Sequence, residues 1–298
     1  MLQRLRNIIK SEIQNAVVPI ILDVSKTSVS KLEFLNSQLS QKQLLIQYQL
    51  VKKLKLPLPD FNDTGFRLFS QTDEDGLLLY IFSLIGFKSK QLIDIAFGSP
   101  YEANTTNLLC NWGFYGLLIE GGNFDKAKQF FKTHKDTHIF PPCLINKWVT
   151  AENINSICTE NGFSGEIDLL SLDIDGVDYW LWKSLTVVEP RVVVLEYQDI
   201  LGPKDAVTVP YDPEFDRFKI HPDFCGASLA AFTKLASEKG YRLVGTNRYG
   251  YNAFYIKNGI GEDYFPEIQV TDCFSHPKVK SGMDTRYPEI KDLPWQKI

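Results

Sequence analysis

The chain has 298 residues, 44% of them hydrophobic and 23% charged, which is the composition of an ordinary globular protein with room for a sizeable core. A net charge of −4 excludes a global basic field of the kind that gathers nucleic acid. The charge is uneven: residues 1–57 hold nine Lys/Arg against three Asp/Glu, and the rest are acidic. That basic start reads either as a solvated helical face or as a surface for peripheral docking to an anionic surface or an acidic partner. Five cysteines with no CxxC pair read as reduced, mostly buried thiols in a cytoplasmic protein. The best apolar run, Gly76 to Phe87, is too short to span a bilayer, and no signal peptide is visible.

In chain order, Leu2, Leu5, Ile9 and Ile13 recur at helical spacing. Leu32, Leu35, Leu39, Ile46, Leu50 and Leu54 resume it imperfectly beyond Pro19, with Lys42 and Gln43 interrupting the stripe. Pro57 and Pro59, with Asp60, Asn62 and Asp63, form a breaker cluster. This divides a helical extension, residues 1–59, from a main domain, residues 60–298, and suggests that the extension serves assembly, with a homo-oligomer expected.

Thr72 then reads as a cap, with Asp75 three residues on, for an apolar helix through LLLYIFSLIGF. Strands follow at Leu92 to Phe97, in GLLIEGG, within Pro142 to Thr150, in DLLSLDID and in PRVVVLEYQ. Helices fall between them, near Asn104 to Thr106, from Asn123 to Lys135, from Ala151 to Asn161 and in VDYWLWKSL. This alternation predicts parallel strands with helical crossovers. GASLAAFTKLASEKGY is a helix ending at Gly240, and YRLVGT and YNAFYIK flank NRYG as an antiparallel hairpin. From about Gly261 the chain, rich in Pro, Asp and Lys, reads as irregular.

The first two strands suit a nucleoside. Gly98 permits close backbone approach, and Glu120, 22 residues on, is placed to accept from both ribose hydroxyls. The loop GSPYEA lacks the G-x-G-x-x-G cradle that a pyrophosphate needs. A ligand with ribose and adenine but no diphosphate fits, and S-adenosylmethionine meets that description.

The element order, five parallel strands with a terminal hairpin, resembles the class I methyltransferase fold, a Rossmann-like α/β sheet. DLLSLDIDGVD, Asp168 to Asp178, resembles the D-x-x-K-x-D-x-E-G-x-E motif of FkbM-type methyltransferases. IDIAFGSPYEANTTNLL followed by GLLIEGG resembles the first two strands of that group, so the likeness covers roughly residues 68–258. The resemblance implies that Asp94, Ala96 and Gly98 form the cofactor loop, with Glu102 and Asn104 beyond it. It places Glu120, with Gly121, on the ribose, and Asp173 near the sulfonium and the acceptor. Pro100 replaces the usual second glycine of the loop, Ser171 the motif's lysine, and Asp175 and Asp178 its two glutamates.

Read as chemistry, Asp173 and Asp175 end a strand, where two carboxylates are costly unless solvated, paired or bound to a cation. Asp173 suits the cofactor's ammonium and Asp175 a base for an acceptor hydroxyl, while helix capping is the structural alternative for either. Glu196, ending the fifth strand, could join them as a hard oxygen set for Mg²⁺ or Mn²⁺. His221 is the histidine best placed to take a proton. Trp148 or Val149 could border adenine. Aromatic loops and the family analogy point to a sugar, a glycan or another small polar metabolite as methyl acceptor. The alternatives are a non-catalytic interaction protein on the same fold and another nucleotide-dependent Rossmann enzyme.

Overall fold

The computed structural model describes residues 37–122 and 124–298. The apolar spacing read at Leu2, Leu5, Ile9, Ile13, Leu32 and Leu35 lies outside them. Contacts divide the chain into two compact units, Met1–Leu50 and Val51–Ile298, so the division falls ahead of the breaker at Pro57. Residues 37–53 are helical (α1). Leu39, Ile46 and Leu50 are exposed on this helix, as is Leu54 just beyond it.

The second unit is built on a seven-stranded sheet in the order β3-β2-β1-β4-β5-β8-β7. β1 (Gln91–Ile95), β2 (Tyr115–Ile119), β3 (Cys143–Ile145), β4 (Gly165–Leu172) and β5 (Val188–Glu196) run parallel. β8 (Asn252–Lys257) lies antiparallel between β5 and β7 (Tyr241–Thr246). This is the class I methyltransferase sheet. The central strands are buried on both faces, and Val192, Val193, Val194 and Leu195 of β5 have no exposure, as parallel strands between helical layers require. β3 is shorter than the expected segment because it is an edge, paired with β2 alone.

The crossovers are α3 (Thr106–Trp112), α4 (Phe124–Thr133), α5 (Ile154–Glu160), α6 (Asp178–Ser184) and α7 (Leu229–Glu238). α7 starts where Ser228 caps it, its hydroxyl accepting from Ala231 N–H at 3.1 Å. It stops before Gly240, which takes φ +81°.

Two expectations need correcting. α2 (Glu74–Ile85) has Asp73, not Thr72, at its N-cap, and no side chain caps it. The Thr72 hydroxyl donates instead to Glu74 Oε1 at 2.8 Å, because the fully buried Glu74 carboxylate needs donors more than the helix end does. Asp75 reaches back to accept from the N–H groups of Leu68, Phe69 and Ser70 at 2.6–2.9 Å, which ties that loop to the start of α2.

The tail is also more ordered than its composition suggests. It holds a 3-10 turn (Val270–Phe274), α8 (Pro277–Thr285), α9 (Tyr287–Ile290) and β9 (Gln296–Lys297), which pairs with β6 (Val207–Thr208). Pro277 and Pro288, which read as breakers, sit in first helical turns, where no N–H is missed. The His276 ring accepts from Lys278 N–H at 3.1 Å, and Val279 and Ile290 are buried.

At the sheet's centre, Asp168 of β4 has no exposure and accepts from Arg191 Nη1 of β5 at 2.6 Å. It also accepts from the N–H groups of Lys88 and Lys90, and Arg191 donates to the carbonyls of Ile85 and Gly86. The end of α2 is thereby tied to β4 and β5, which fixes where β1 begins. Asp168→Ala would strand a buried guanidinium and is expected to cost about 3–5 kcal/mol in urea unfolding. Asp168→Ala combined with Arg191→Met should recover much of that loss.

Candidate active site

The carboxyl ends of β1, β2, β4 and β5 meet at one edge of the sheet, the side on which such sheets bind ligands. Asp94 is buried at the end of β1 and accepts from the Thr105 hydroxyl at 2.6 Å. Burial pushes its carboxyl up to about 7, against the opposing effect of that bond. The chain then turns through Ala96 at φ +59° and Gly98 at φ +64°. An alanine in the left-handed region is strained, whereas Gly98 is not, and nothing lies within 4 Å of where a Cβ would stand on Gly98.

Glu120 joins this loop to the next. Its Oε2 accepts from Gly98 N–H at 2.8 Å and its Oε1 from Gly122 N–H at 2.6 Å. Beside it a cavity of about 270 Å³ is lined by Ile95, Ala96, Ile119, Glu120, Gly121 and Trp148, among others. Trp148 is 63% exposed, and its Nε1–H donates to the Pro213 carbonyl at 2.7 Å, so the ring is oriented at the cavity's mouth. Glu120, Gly121, Trp148 and Val149 thus line one cavity together.

Beyond β4 the loop from Asp173 to Val177 lies between two cavities. Ile174, Gly176 and Val177 line the first. Asp173 and Asp175 line a second, of about 330 Å³, with Glu196, Arg217, Asp223 and Arg286. The carboxylate oxygens of Asp173, Asp175 and Glu196 come within 4.8 Å of one another. Asp175, at φ +54°, is ion-paired with Arg217 at 2.5 Å. Asp223 is paired with Arg286, whose Nε donates to it at 3.0 Å, and Asp199 with Lys278 at 2.8 Å.

Asp173 and Glu196 have no such cation beside them, and their carboxyl oxygens lie within 4.8 Å of each other. Burial pushes Asp173 up to about 7. Burial first, and then the neighbouring carboxylates, also raise Glu196 well above the usual range, so the two titrate as a pair. Asp178, fully buried, accepts from the N–H groups of Ile174 and Gly176 at 2.8 and 2.9 Å. No side chain caps α6, so the helix-capping alternative for Asp173 or Asp175 does not hold, and it is Asp178 that ties down the loop.

Asn104 and Glu102 lie with Asp94 and Asp173 around a third, small cavity. Asn104 Nδ2 donates to Ser171 Oγ at 3.3 Å. His221 is not among the residues lining the acidic cavity. Its Nδ1 accepts from Asp223 N–H at 3.1 Å, and its Nε2 lies 3.4 Å from Glu289. The sequence reading missed Arg217, Arg286 and Asn252. Arg217 lies in the loop that was read for His221, Arg286 in the tail read as irregular, and Asn252 in a strand read only as half of a hairpin.

No protein-family model and no curated protein matches the chain. Solved structures similar to it are O-methyltransferases. An O-methyltransferase family protein from Burkholderia thailandensis is 11% identical, with 63% of this chain and 59% of that chain covered and a TM-score of 0.39. An O-methyltransferase from Bacillus cereus in complex with SAH is 14% identical, over 73% of this chain and 89% of that one, at a TM-score of 0.40. An O-methyltransferase family 2 protein from Planctomyces limnophilus in complex with apigenin is 14% identical, over 56% and 49%, at 0.36. The chain spans about three fifths of the first and half of the third. No residue role passes from them to this chain.

The raised carboxyls set a pH dependence. Asp94 and Asp173 take up a proton near pH 7 when folded, against about 4 when unfolded. The folded chain holds the extra protons between these limits, so this contribution is greatest below about pH 4 and is lost as the pH rises to about 7. Urea unfolding of the chain and of Asp173→Asn at pH 5 and pH 7.5 checks it. The variant's stability should fall less between the two, by at least about 1.4 kcal/mol, the equivalent of one pKa unit.

Proposed function

We propose that the chain is an S-adenosylmethionine-dependent O-methyltransferase acting on a hydroxyl of a sugar, a glycan or another small polar metabolite. One observation carries this reading. Ala96 of the loop after β1, Glu120, Trp148 and Val149 line one cavity of about 270 Å³, and the loop after β4 also lines a second, polar one with Asp173, Asp175 and Glu196. The FkbM-type assignment is part of the proposal and rests on Asp168, Asp173, Gly176 and the acids at 175 and 178. Cytoplasmic placement and self-assembly complete the reading. Among the described residues no helix is long and apolar enough to cross a membrane.

When bound, the donor supplies an activated methyl group, so the chain has to align the two reactants and remove one proton. In this reading Ile119, Val149 and Trp148 enclose the adenine, and Glu120 turns its carboxylate from the two loop N–H groups to the ribose hydroxyls. The loop from Asp173 to Val177 brings the acceptor cavity against the donor's end. Alignment of this kind is worth up to roughly 7–11 kcal/mol in ideal cases.

The acceptor hydroxyl gives its proton to Asp173, which titrates as a pair with Glu196. Asp175 is engaged by Arg217, and His221 lies outside the cavity, so neither takes that role. Three clustered carboxylates are also the hard oxygen donors that Mg²⁺ or Mn²⁺ prefers. Asp173, Asp175 and Glu196 would hold such an ion, which would polarise the acceptor hydroxyl, but only after Arg217 leaves Asp175 and the pair's proton is lost. The metal-free route is favoured.

Two measurements test these roles. Glu120→Ala should weaken S-adenosylmethionine binding in calorimetry by about 1.5–3 kcal/mol, the scale of hydrogen bonds to a charged group. Unchanged affinity in the folded variant removes Glu120 from the site. In methyl-transfer assays with candidate glycans, Asp173→Asn should lower the rate by about 10²–10⁴-fold while chelator has no effect. Loss of turnover on chelation, restored by Mn²⁺, would replace the metal-free route.

A further inference from the structure

Asn252, at the start of β8, pairs across the sheet with Glu196 and is 4% exposed. Its amide orientation is fixed by its neighbours. Asn252 Nδ2 donates to Glu74 Oε1 at 3.0 Å, and Glu74 also receives Asn247 Nδ2, the Thr72 hydroxyl and Thr72 N–H. Glu74 accepts from four donors in this arrangement, so the NH₂ end of Asn252 faces it and the carbonyl end faces away. That carbonyl oxygen, buried and without a hydrogen-bond partner, belongs to a residue lining the small cavity that holds Asp94 and Asp173.

The cavity, about 30 Å³, has room for one water-sized group. Besides the carboxyls of Asp94, Glu102 and Asp173 and the Asn252 carbonyl, its polar lining is Gln71, Asn104 and Ser171. Thr105 has given its hydroxyl hydrogen to Asp94, and Asn104 has directed its Nδ2 to Ser171. No lysine or arginine lines it. A buried carbonyl left unmet costs about 1–3 kcal/mol, so the arrangement calls for a small donor, and two carboxyls beside it favour a cationic one.

We propose that Asn252 Oδ1, together with Asp94, seats one primary ammonium group, the α-ammonium of the methyl donor. Asn252 is then a positioning residue: it ties the donor's amino-acid end to the β7–β8 hairpin and, through Glu74, to the start of α2. This rests on the methyltransferase reading above and adds to it a contact from the antiparallel part of the sheet.

Calorimetry on the full chain tests it with two ligands, S-adenosylhomocysteine and its analogue in which hydrogen replaces the α-amino group. The wild-type chain should bind the amino compound at least about tenfold more tightly, as a charge-assisted hydrogen bond requires. Asn252→Ala and Asn252→Thr should each weaken the amino compound by about tenfold and leave the deaminated one within about twofold. The threonine suits a strand and guards against a loss of fold in the alanine variant; binding of the deaminated ligand reports that each variant is folded. Equal binding of the two ligands by the wild-type chain overturns the inference without any variant. Equal weakening of both ligands in the variants also overturns it, since Asn252 would then be structural and its carbonyl would hold only water. If the wild-type chain binds neither compound, the methyltransferase reading itself falls.

Discussion

A carboxylate removed from water must be met by a donor, a cation or a proton, and this constraint sorts the acids of the sheet into two groups. Asp168 has Arg191 and two backbone N–H groups. Glu74 has two amides and Thr72, Asp75 has three N–H groups, and Asp178 has two. These acids are answered by the chain itself, and each ties a loop to a strand or a helix end. Asp94, Asp173 and Glu196 are not fully answered. They are raised by burial and settle their charge with protons, which is the condition of groups kept for a ligand or a reaction.

The first group builds the frame that exposes the second. Asp168 and Arg191 fix the entry of β1, so Asp94 falls beside Ser171 and the strand's end at Ile95 beside the end of β4 at Leu172. Asp178 holds the turn at Ile174 and Gly176, so that Asp173 and Asp175 face one cavity while Ile174 and Val177 face the other. Glu120 belongs to both groups. Its two N–H partners hold the loops after β1 and β2 together, and these are weak enough, on the scale of single hydrogen bonds, to be exchanged for a ligand's hydroxyls.

Much of this was legible in the sequence because it is periodic or local. The apolar runs of β1, β2, β4 and β5 give a parallel sheet, and Glu120 is found by counting from Gly98. What sequence order could not give is the choice among nearby donors. Thr72 and Asp75 have the spacing of a cap, yet Asp75 folds back on residues 68–70 and Thr72 turns to a buried glutamate. Arg217 and Arg286 are drawn to Asp175 and Asp223 across 42 and 63 residues, which no local pattern records. His221 looked apt because it is a histidine in a loop, and the same loop places its ring on Glu289 and on its own backbone.

The raised carboxyls of Asp173 and Glu196 suit the demands of methyl transfer in this reading. The electrophile arrives activated, so a strong base is unnecessary, and a base that is always ionised would hold its charge in a poorly solvated cavity at a large cost. A carboxyl raised to about 7 is ionised in a sizeable fraction of molecules at neutral pH and is also a better proton acceptor than an ordinary aspartate. β8, set antiparallel between β5 and β7, places Asn252 opposite Glu196. That strand therefore contributes to the chemistry in this reading as well as to the sheet, because it carries the buried carbonyl offered to the donor's ammonium.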